Sequence, residues 1–196
     1  MGPLSSASQY IAAAAIFQRA LEVEPKNANI LTNYAILLTG VRNDHEEVES
    51  LHRSALEADP KDADDRAKSA TFMTVCKDYD AAESLYKQAL DADPKDAALL
   101  GRYASFLTTV RQDHDAAEAL YKRALEADPK DANNLGNYAT FLTAVRQDHE
   151  AAEPLFQRAL EVDPKNANIL TNYATFLRDV RNDYKAAEAL HKQFTF

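Results

Sequence analysis

The chain has 196 residues, a formal net charge of −9 and only four glycines. Abundant Ala, Leu, Glu, Asp and Lys favour helix over strand, and the acidic balance argues against a nucleic-acid backbone or an anionic membrane surface as partner. The single cysteine, Cys76, excludes an intramolecular disulfide framework and a cysteine-based zinc site, the pattern of a reducing, cytoplasmic protein.

At the start, Met1 to Ser6 has no basic stretch followed by an apolar core, so it does not read as a secretory signal. It fits a loose myristoylation pattern, against which Pro3 counts, and residues 1–8 read as a flexible tail. No apolar run reaches the roughly 18 residues of a membrane helix. Residues 9–25 then match only the second half of a block that recurs through the rest of the chain.

The clearest mark of that block is a ladder of prolines, Pro25, Pro60, Pro94, Pro129 and Pro164, spaced by 35, 34, 35 and 35 residues. Each follows Asp or Glu and precedes Lys. Self-similarity at this period means a stack of one supersecondary unit rather than a single globular core. Full copies span 26–60, 61–94, 95–129 and 130–164, and 165–196 completes a last one.

In the copy 130–164, Leu135, Tyr138, Ala139, Leu142 and Val145 form one apolar stripe of a helix. Ala152, Leu155, Phe156, Ala159 and Leu160 form a second. Arg146-Gln147-Asp148 interrupts the pattern, with Asp148 placed to cap the second helix. Each copy is therefore a helical hairpin, and the proline marks the turn to the next. The fold class expected is all-α, a solenoid of stacked antiparallel helix pairs with about eleven helices by this count of stripes. Ala35, Ala70, Ala104, Ala139 and Ala174 recur where helices would cross closely, as do Ala20, Ala55, Ala89, Ala124 and Ala159.

The copy 61–94 is the outlier. Arg66 and Ser69 stand where Leu135 and Tyr138 stand later, and its turn at Val75-Cys76-Lys77 is one residue shorter. A lost buried Leu or aromatic costs about 2–5 kcal/mol, so the array should be weakest here, as a hinge, a specialised surface or simple drift. Pro154 falls inside a second helix and predicts a delayed start or slight kink. Both ends carry apolar residues, Ile11 and Ile16 at one and Phe194 and Phe196 at the other, a pattern that favours self-association.

The second-helix series Ala82-Tyr86-Ala89-Pro94, Ala117-Tyr121-Ala124-Pro129 and Ala152-Phe156-Ala159-Pro164 resembles the tetratricopeptide repeat, and the likeness covers nearly the whole chain. The first helix departs from the family habit: Leu135, Tyr138 and Ala139 stand where Trp, Leu and Gly are usual. Most copies also have one extra residue between the helices. The resemblance implies an α-α superhelix, right-handed or nearly straight, and a protein-interaction module whose ligands lie along the concave surface of the first helices. The 35-residue period is also that of the RNA-reading pentatricopeptide family, against which the acidic charge stands.

On that implied groove the polar side of the first helices offers Asn29 and Asn33, Lys68, Arg102, Asn133 and Asn137, and Asn168, Asn172 and Arg178. Small neighbours such as Thr32, Ala67, Gly101 and Gly136 join the same lining. Asn both donates and accepts, so it can pin an extended peptide backbone, and Lys68 and Arg102 could attract a carboxylate. The structural alternative is that the amides bind the adjacent repeat and the cations are solvated. The carboxylate clamp of some family members needs lysines at slots held here by Asn29, Thr32, Asn133, Gly136, Asn168 and Thr171, so it is not expected.

No catalytic constellation emerges. His45, His114 and His149 each sit beside an Asp, but Tyr79 and Tyr184 hold the same place, and no His pair has metal-ligand spacing. There is no glycine-rich phosphate loop. The reading is a non-enzymatic scaffold without a cofactor that binds a protein or peptide, with no nucleic-acid or membrane partner. The alternative is a self-assembly element that forms homo-oligomers through its end helices.

Overall fold

A computed structural model of the protein describes residues 6–39, 45–59 and 62–192. Among these residues there are eleven α-helices and no strand. They fall into two compact units, divided between Pro94 and Lys95, which is also a repeat boundary. The first unit holds α1 (Ser6–Val23), α2 (Ala28–Thr39), α3 (His45–Ala58), α4 (Ala63–Val75) and α5 (Tyr79–Ala92). The second holds α6 (Ala97–Phe106), α7 (His114–Ala127), α8 (Ala132–Phe141), α9 (His149–Val162), α10 (Ala167–Asp179) and α11 (Tyr184–Lys192). The principal packing pairs are α2 with α3, α4 with α5, α6 with α7, α8 with α9 and α10 with α11. The fold class is all-α, of the α-α superhelix type. Residues 6–8, read as tail, belong to α1, whereas Met1 to Ser5, Pro60, Phe194 and Phe196 lie outside the described residues.

Helix starts are set by side-chain caps. The carboxylates of Asp62, Asp96 and Asp131 accept from the backbone N–H three residues on, at 2.9–3.0 Å, and Asn27 does so at 3.1 Å. Asp78, Asp113, Asp148 and Asp183 do the same for the second helices at 3.0–3.1 Å. Each satisfies an otherwise orphaned donor. Pro25, Pro94, Pro129 and Pro164 all stand in the two-residue turn just before the next cap.

The extra residue of the longer copies is located in the backbone. In every described copy from 61 onward the N–H of the second cap bonds the carbonyl of the equivalent first-helix residue: Asp78 to Met73 at 2.9 Å, Asp113 to Leu107 at 3.1 Å, Asp148 to Leu142 at 3.0 Å and Asp183 to Leu177 at 2.9 Å. The insertion therefore lies between that carbonyl and the second cap. In two copies it is taken up as a π-helical turn, Leu107–Arg111 and Leu142–Arg146, closed by Gln112 and Gln147 at φ of 57° and 56°. The helix end is widened rather than the linker lengthened.

Small residues sit at the crossings: Ala35, Ala70, Ala104 and Ala139, and on the second helices Ala55, Ala89, Ala124 and Ala159, are fully buried. Between successive repeats the wider gap is filled by an aromatic pair: Phe17 on Tyr34 at 5.8 Å, Tyr121 on Tyr138 at 5.5 Å and Phe156 on Tyr173 at 5.3 Å, all nearly parallel. At the junction of α3 and α4 this register holds His52 and Ser69 instead, with Ser69 Oγ 3.0 Å from His52 Nδ1. Arg66, the other departure, stays half-buried on α4.

Pro154 does not delay the start of α9, one of the two outcomes its position predicts. The helix starts directly after its Asp148 cap and has the same 14-residue length as α5 and α7. Proline nevertheless lacks the N–H that would bond the Glu150 carbonyl, and its ring crowds that turn. Pro154→Ala should stabilise the second unit by about 1–3 kcal/mol, read as a higher urea midpoint; a lower midpoint would show that the proline is accommodated without strain.

Candidate functional site

The first helices α2, α4, α6, α8 and α10 present one recurring set of positions. In the first unit Asn29 and Asn33 are exposed on α2. Lys68 on α4 is half-buried, and its ammonium lies 2.7 Å from Asp64, so it is committed to an i,i+4 ion pair. In the second unit Arg102, Asn133, Asn137, Asn168 and Arg178 are exposed and Asn172 is half-buried.

Some of these groups also tie repeats together. Asn172 Nδ2 donates to Thr140 Oγ1 at 3.2 Å, and Asn133 Oδ1 accepts from Asn166 Nδ2 at 3.2 Å. Arg178 makes a two-point bond to Asp179, at 2.6 and 2.8 Å, which holds that carboxyl below its usual range. Asn137 is one helical turn from Asn133 and shares its face.

Four residues read as lining are instead packing positions. Thr32, Ala67, Gly101 and Gly136 are buried. A Cβ on Gly101 would come within 1.7 Å of Asn134 Oδ1, and one on Gly136 within 2.9 Å of an Ile169 carbon. Asn134 and Ile169 thus lie directly over the preceding first helix, and Asn134 Nδ2 donates to Ala97 O at 2.8 Å. A sequence reading of polarity misses this, because glycine and threonine look like surface residues.

Charge is segregated in the second unit. α6 and α8 carry no acidic residue, and α10 carries only Asp179. Most helix-borne acids lie on the second helices, Asp115, Glu118 and Glu126 on α7 and Glu150, Glu153 and Glu161 on α9, while Asp96 and Asp131 cap the first helices. Apart from those capping carboxylates and Asp179, the first-helix surface is a strip of amides, hydroxyls and guanidinium groups.

The recurring Arg-x-Asp organises the turns, as its spacing suggests. Arg146 lies over the Phe141 ring at 5.6 Å, and its guanidinium bonds Asp115 and, at 2.7 Å, Glu118 of the preceding repeat. Arg181 repeats this over Phe176 at 5.6 Å, with Glu150 at 2.9 Å and Glu153 at 2.7 Å. Arg146 does this from the end of a π turn and Arg181 from the turn that follows α10. The signal was in the sequence: acids stand 28 and 31 residues before each arginine.

His114 and His149 pack against Phe141 and Phe176, at 6.3 and 6.2 Å between ring centres. The side chain of His45 lies outside the described residues. Cys76 is exposed, and partial covering together with the charges of Glu49 and Asp78 pushes its thiol up, which works against thiolate formation. Among the described residues no group of three or more His, Cys, Asp or Glu is arranged to hold a metal ion. No described helix is long and apolar enough to cross a membrane.

No curated protein sequence matches the chain. Family models of the tetratricopeptide repeat match residues 77–132 and 155–191. Among solved structures, yeast Tom70 is 21% identical with a TM-score of 0.77, covering 92% of this chain and 38% of its own. YrrB, a tetratricopeptide-repeat protein with an unusual peptide-binding site, is 22% identical with a TM-score of 0.57, covering 92% and 91%. A human IFIT1 dimer with m7Gppp-AAAA is 19% identical with a TM-score of 0.75, covering 95% and 45%. With paired helices at this period and tetratricopeptide-repeat models matching residues 77–132 and 155–191, the chain belongs to the tetratricopeptide-repeat family.

Proposed function

We propose that the protein is a non-enzymatic interaction scaffold that receives an extended peptide on the first helices of its second unit. The observation that carries this reading is the exposed strip of α6, α8 and α10, which bears Arg102, Asn133, Asn137, Asn168 and Asn172 and whose one helical acid, Asp179, is bonded to Arg178. Amides supply paired donors and acceptors for a peptide backbone, and the guanidinium groups favour a carboxylate-bearing sequence. In the first unit Asn29 and Asn33 would offer a smaller amide surface, and Lys68 a cation only if a ligand carboxylate displaces Asp64. YrrB, described as having a peptide-binding site, supports the class of ligand. The capped RNA with IFIT1 is the contrasting case, but a net charge of −9 disfavours a phosphate backbone here. The single cysteine fits a cytoplasmic setting.

An array of acidic, neutral and basic peptides probed with the whole protein tests the reading. Acidic members should bind best, and Arg102→Glu should weaken them about tenfold, near 1.4 kcal/mol. Glu126→Ala, on a second helix, should change little. Equal binding by Arg102→Glu, or capture of oligonucleotides in preference to peptides, would reject it.

A second reading, association between copies, is favoured by α1, where Ile11, Ile16 and Val23 are 72%, 68% and 79% exposed. Sedimentation at several concentrations decides it: a concentration-independent monomer removes this reading and leaves the first intact.

A further inference from the structure

The junction of α3 and α4 departs from the other repeat junctions by a matched pair of changes. His52 stands eight residues after Asp44, the register at which Tyr86, Tyr121 and Phe156 follow Asp78, Asp113 and Asp148. Ser69 stands at the register of Tyr34, Tyr138 and Tyr173. At three other junctions, one in the first unit and two in the second, these two positions form a stacked aromatic pair; here they form a hydrogen bond. A polar residue entered both sides of one junction, which drift at a single site does not explain.

The pair is enclosed. His52 is 1% exposed, Ser69 is fully buried, and the imidazole stacks on Phe72 at 5.1 Å. Ser69 Oγ donates to Asp65 O at 2.8 Å, which spends its only proton. It therefore accepts from His52 Nδ1–H, leaving Nε2 as the atom that would take a further proton. Such a proton would place a positive charge inside an apolar junction. From α4, Lys68 faces the ring and opposes that charge. Helix α2 carries no acidic or basic side chain, contributing Thr32 and Tyr34 to this region. Asp65 is also buried, with neither carboxylate oxygen hydrogen-bonded among the described residues.

We infer that the α3–α4 junction is a proton-operated joint: protonation of His52 loosens α4 from α2 and α3, while the aromatic junctions of the second unit stay closed. Burial first, and Lys68 second, lower the His52 pKa from 6.5 to about 4. A folded pKa below the unfolded one means that the open form takes up the proton more readily. Closure is thus fully present above about pH 6.5 and is lost progressively toward pH 4. The gap corresponds to a change on the order of 300-fold in the opening equilibrium. Asp65 works in the opposite sense. Burial, with Asp62 and Asp64 nearby, raises its pKa against the opposing charge of Lys68, so its protonation favours the closed form.

NMR titration of the histidine ring protons in the unaltered full chain tests the first step, with His52→Phe assigning the signal. A midpoint near 4 is expected; a midpoint near 6.5 would overturn the proposal. Amide exchange between pH 7 and pH 4.5, corrected for intrinsic rates, tests the second. Segment 45–75 should lose protection relative to 114–162 as pH falls, and His52→Phe should abolish that difference. Asp65→Asn should enlarge the acid response by removing the opposing group. Uniform protection in both segments, or the same response in His52→Phe, would show that His52 does not operate the joint.

Discussion

Phe156→Ala lowers the stability of the second unit by about 3–5 kcal/mol, the range for removing a buried aromatic from a packed core. The ring is 1% exposed, lies 5.3 Å from Tyr173 in a near-parallel stack and 5.7 Å from Phe176. It therefore joins α9 to the following hairpin, and truncation opens a cavity at a repeat junction. Stability in a repeat array is carried by such nearest-neighbour contacts. Phe156→Tyr supplies the control. The equivalent Tyr121 places its hydroxyl 3.0 Å from Ser105, and Thr140 occupies that register for residue 156. The tyrosine variant should stay within about 1 kcal/mol of the natural chain. Urea unfolding followed by circular dichroism measures both, and an alanine loss below about 1 kcal/mol would mean that the junction collapses to fill the space.

Gly101→Ala, which would ordinarily strengthen a helix by about 1 kcal/mol, is expected here to weaken the second unit by about 1–3 kcal/mol. The new methyl would fall 1.7 Å from Asn134 Oδ1. Asn134 is 3% exposed and its amide donates to Ala97 O at 2.8 Å, so moving aside forfeits a buried hydrogen bond. Adding Asn134→Ala removes the clash and should recover most of the loss. A double-mutant cycle on unfolding free energies measures this coupling directly. Additive effects would show that the two residues do not compete for one space.

The turns, helix pairing and many core positions were legible because they repeat. A proline every 34 or 35 residues, an aspartate or asparagine at the described caps and alanine at the crossings answer to local chemistry, which recurs from copy to copy. The surface amides were legible for a similar reason, since Asn133 and Asn137 face one way on any helix of that register. Other parts were not. Nothing in the order of residues distinguishes an exposed Gly101 from one covered by Asn134, because the covering atom comes from the next repeat. The site proposed here rests partly on that distinction, which removes Gly101 and Gly136 from the binding surface and leaves the amides beside them.

Arg66 and Ser69 announced an irregular copy, but their sequence spacing alone read as a loss of core. The fold supplies the compensation at Ser69: His52, 17 residues earlier, closes the same junction with a hydrogen bond. In the same way the extra residue of the longer copies is countable in the sequence, while its form as a π turn and the position of Arg146 over Phe141 exist only in three dimensions. The repeating helical hairpins, their caps and their polar faces follow from residue order alone, because these depend on residues within a few turns of each other. Which polar groups are buried, which junction holds a histidine and which arginines bind the preceding repeat were decided by tertiary packing, because each depends on side chains some 15 to 30 residues apart that meet only when one hairpin stacks on the next.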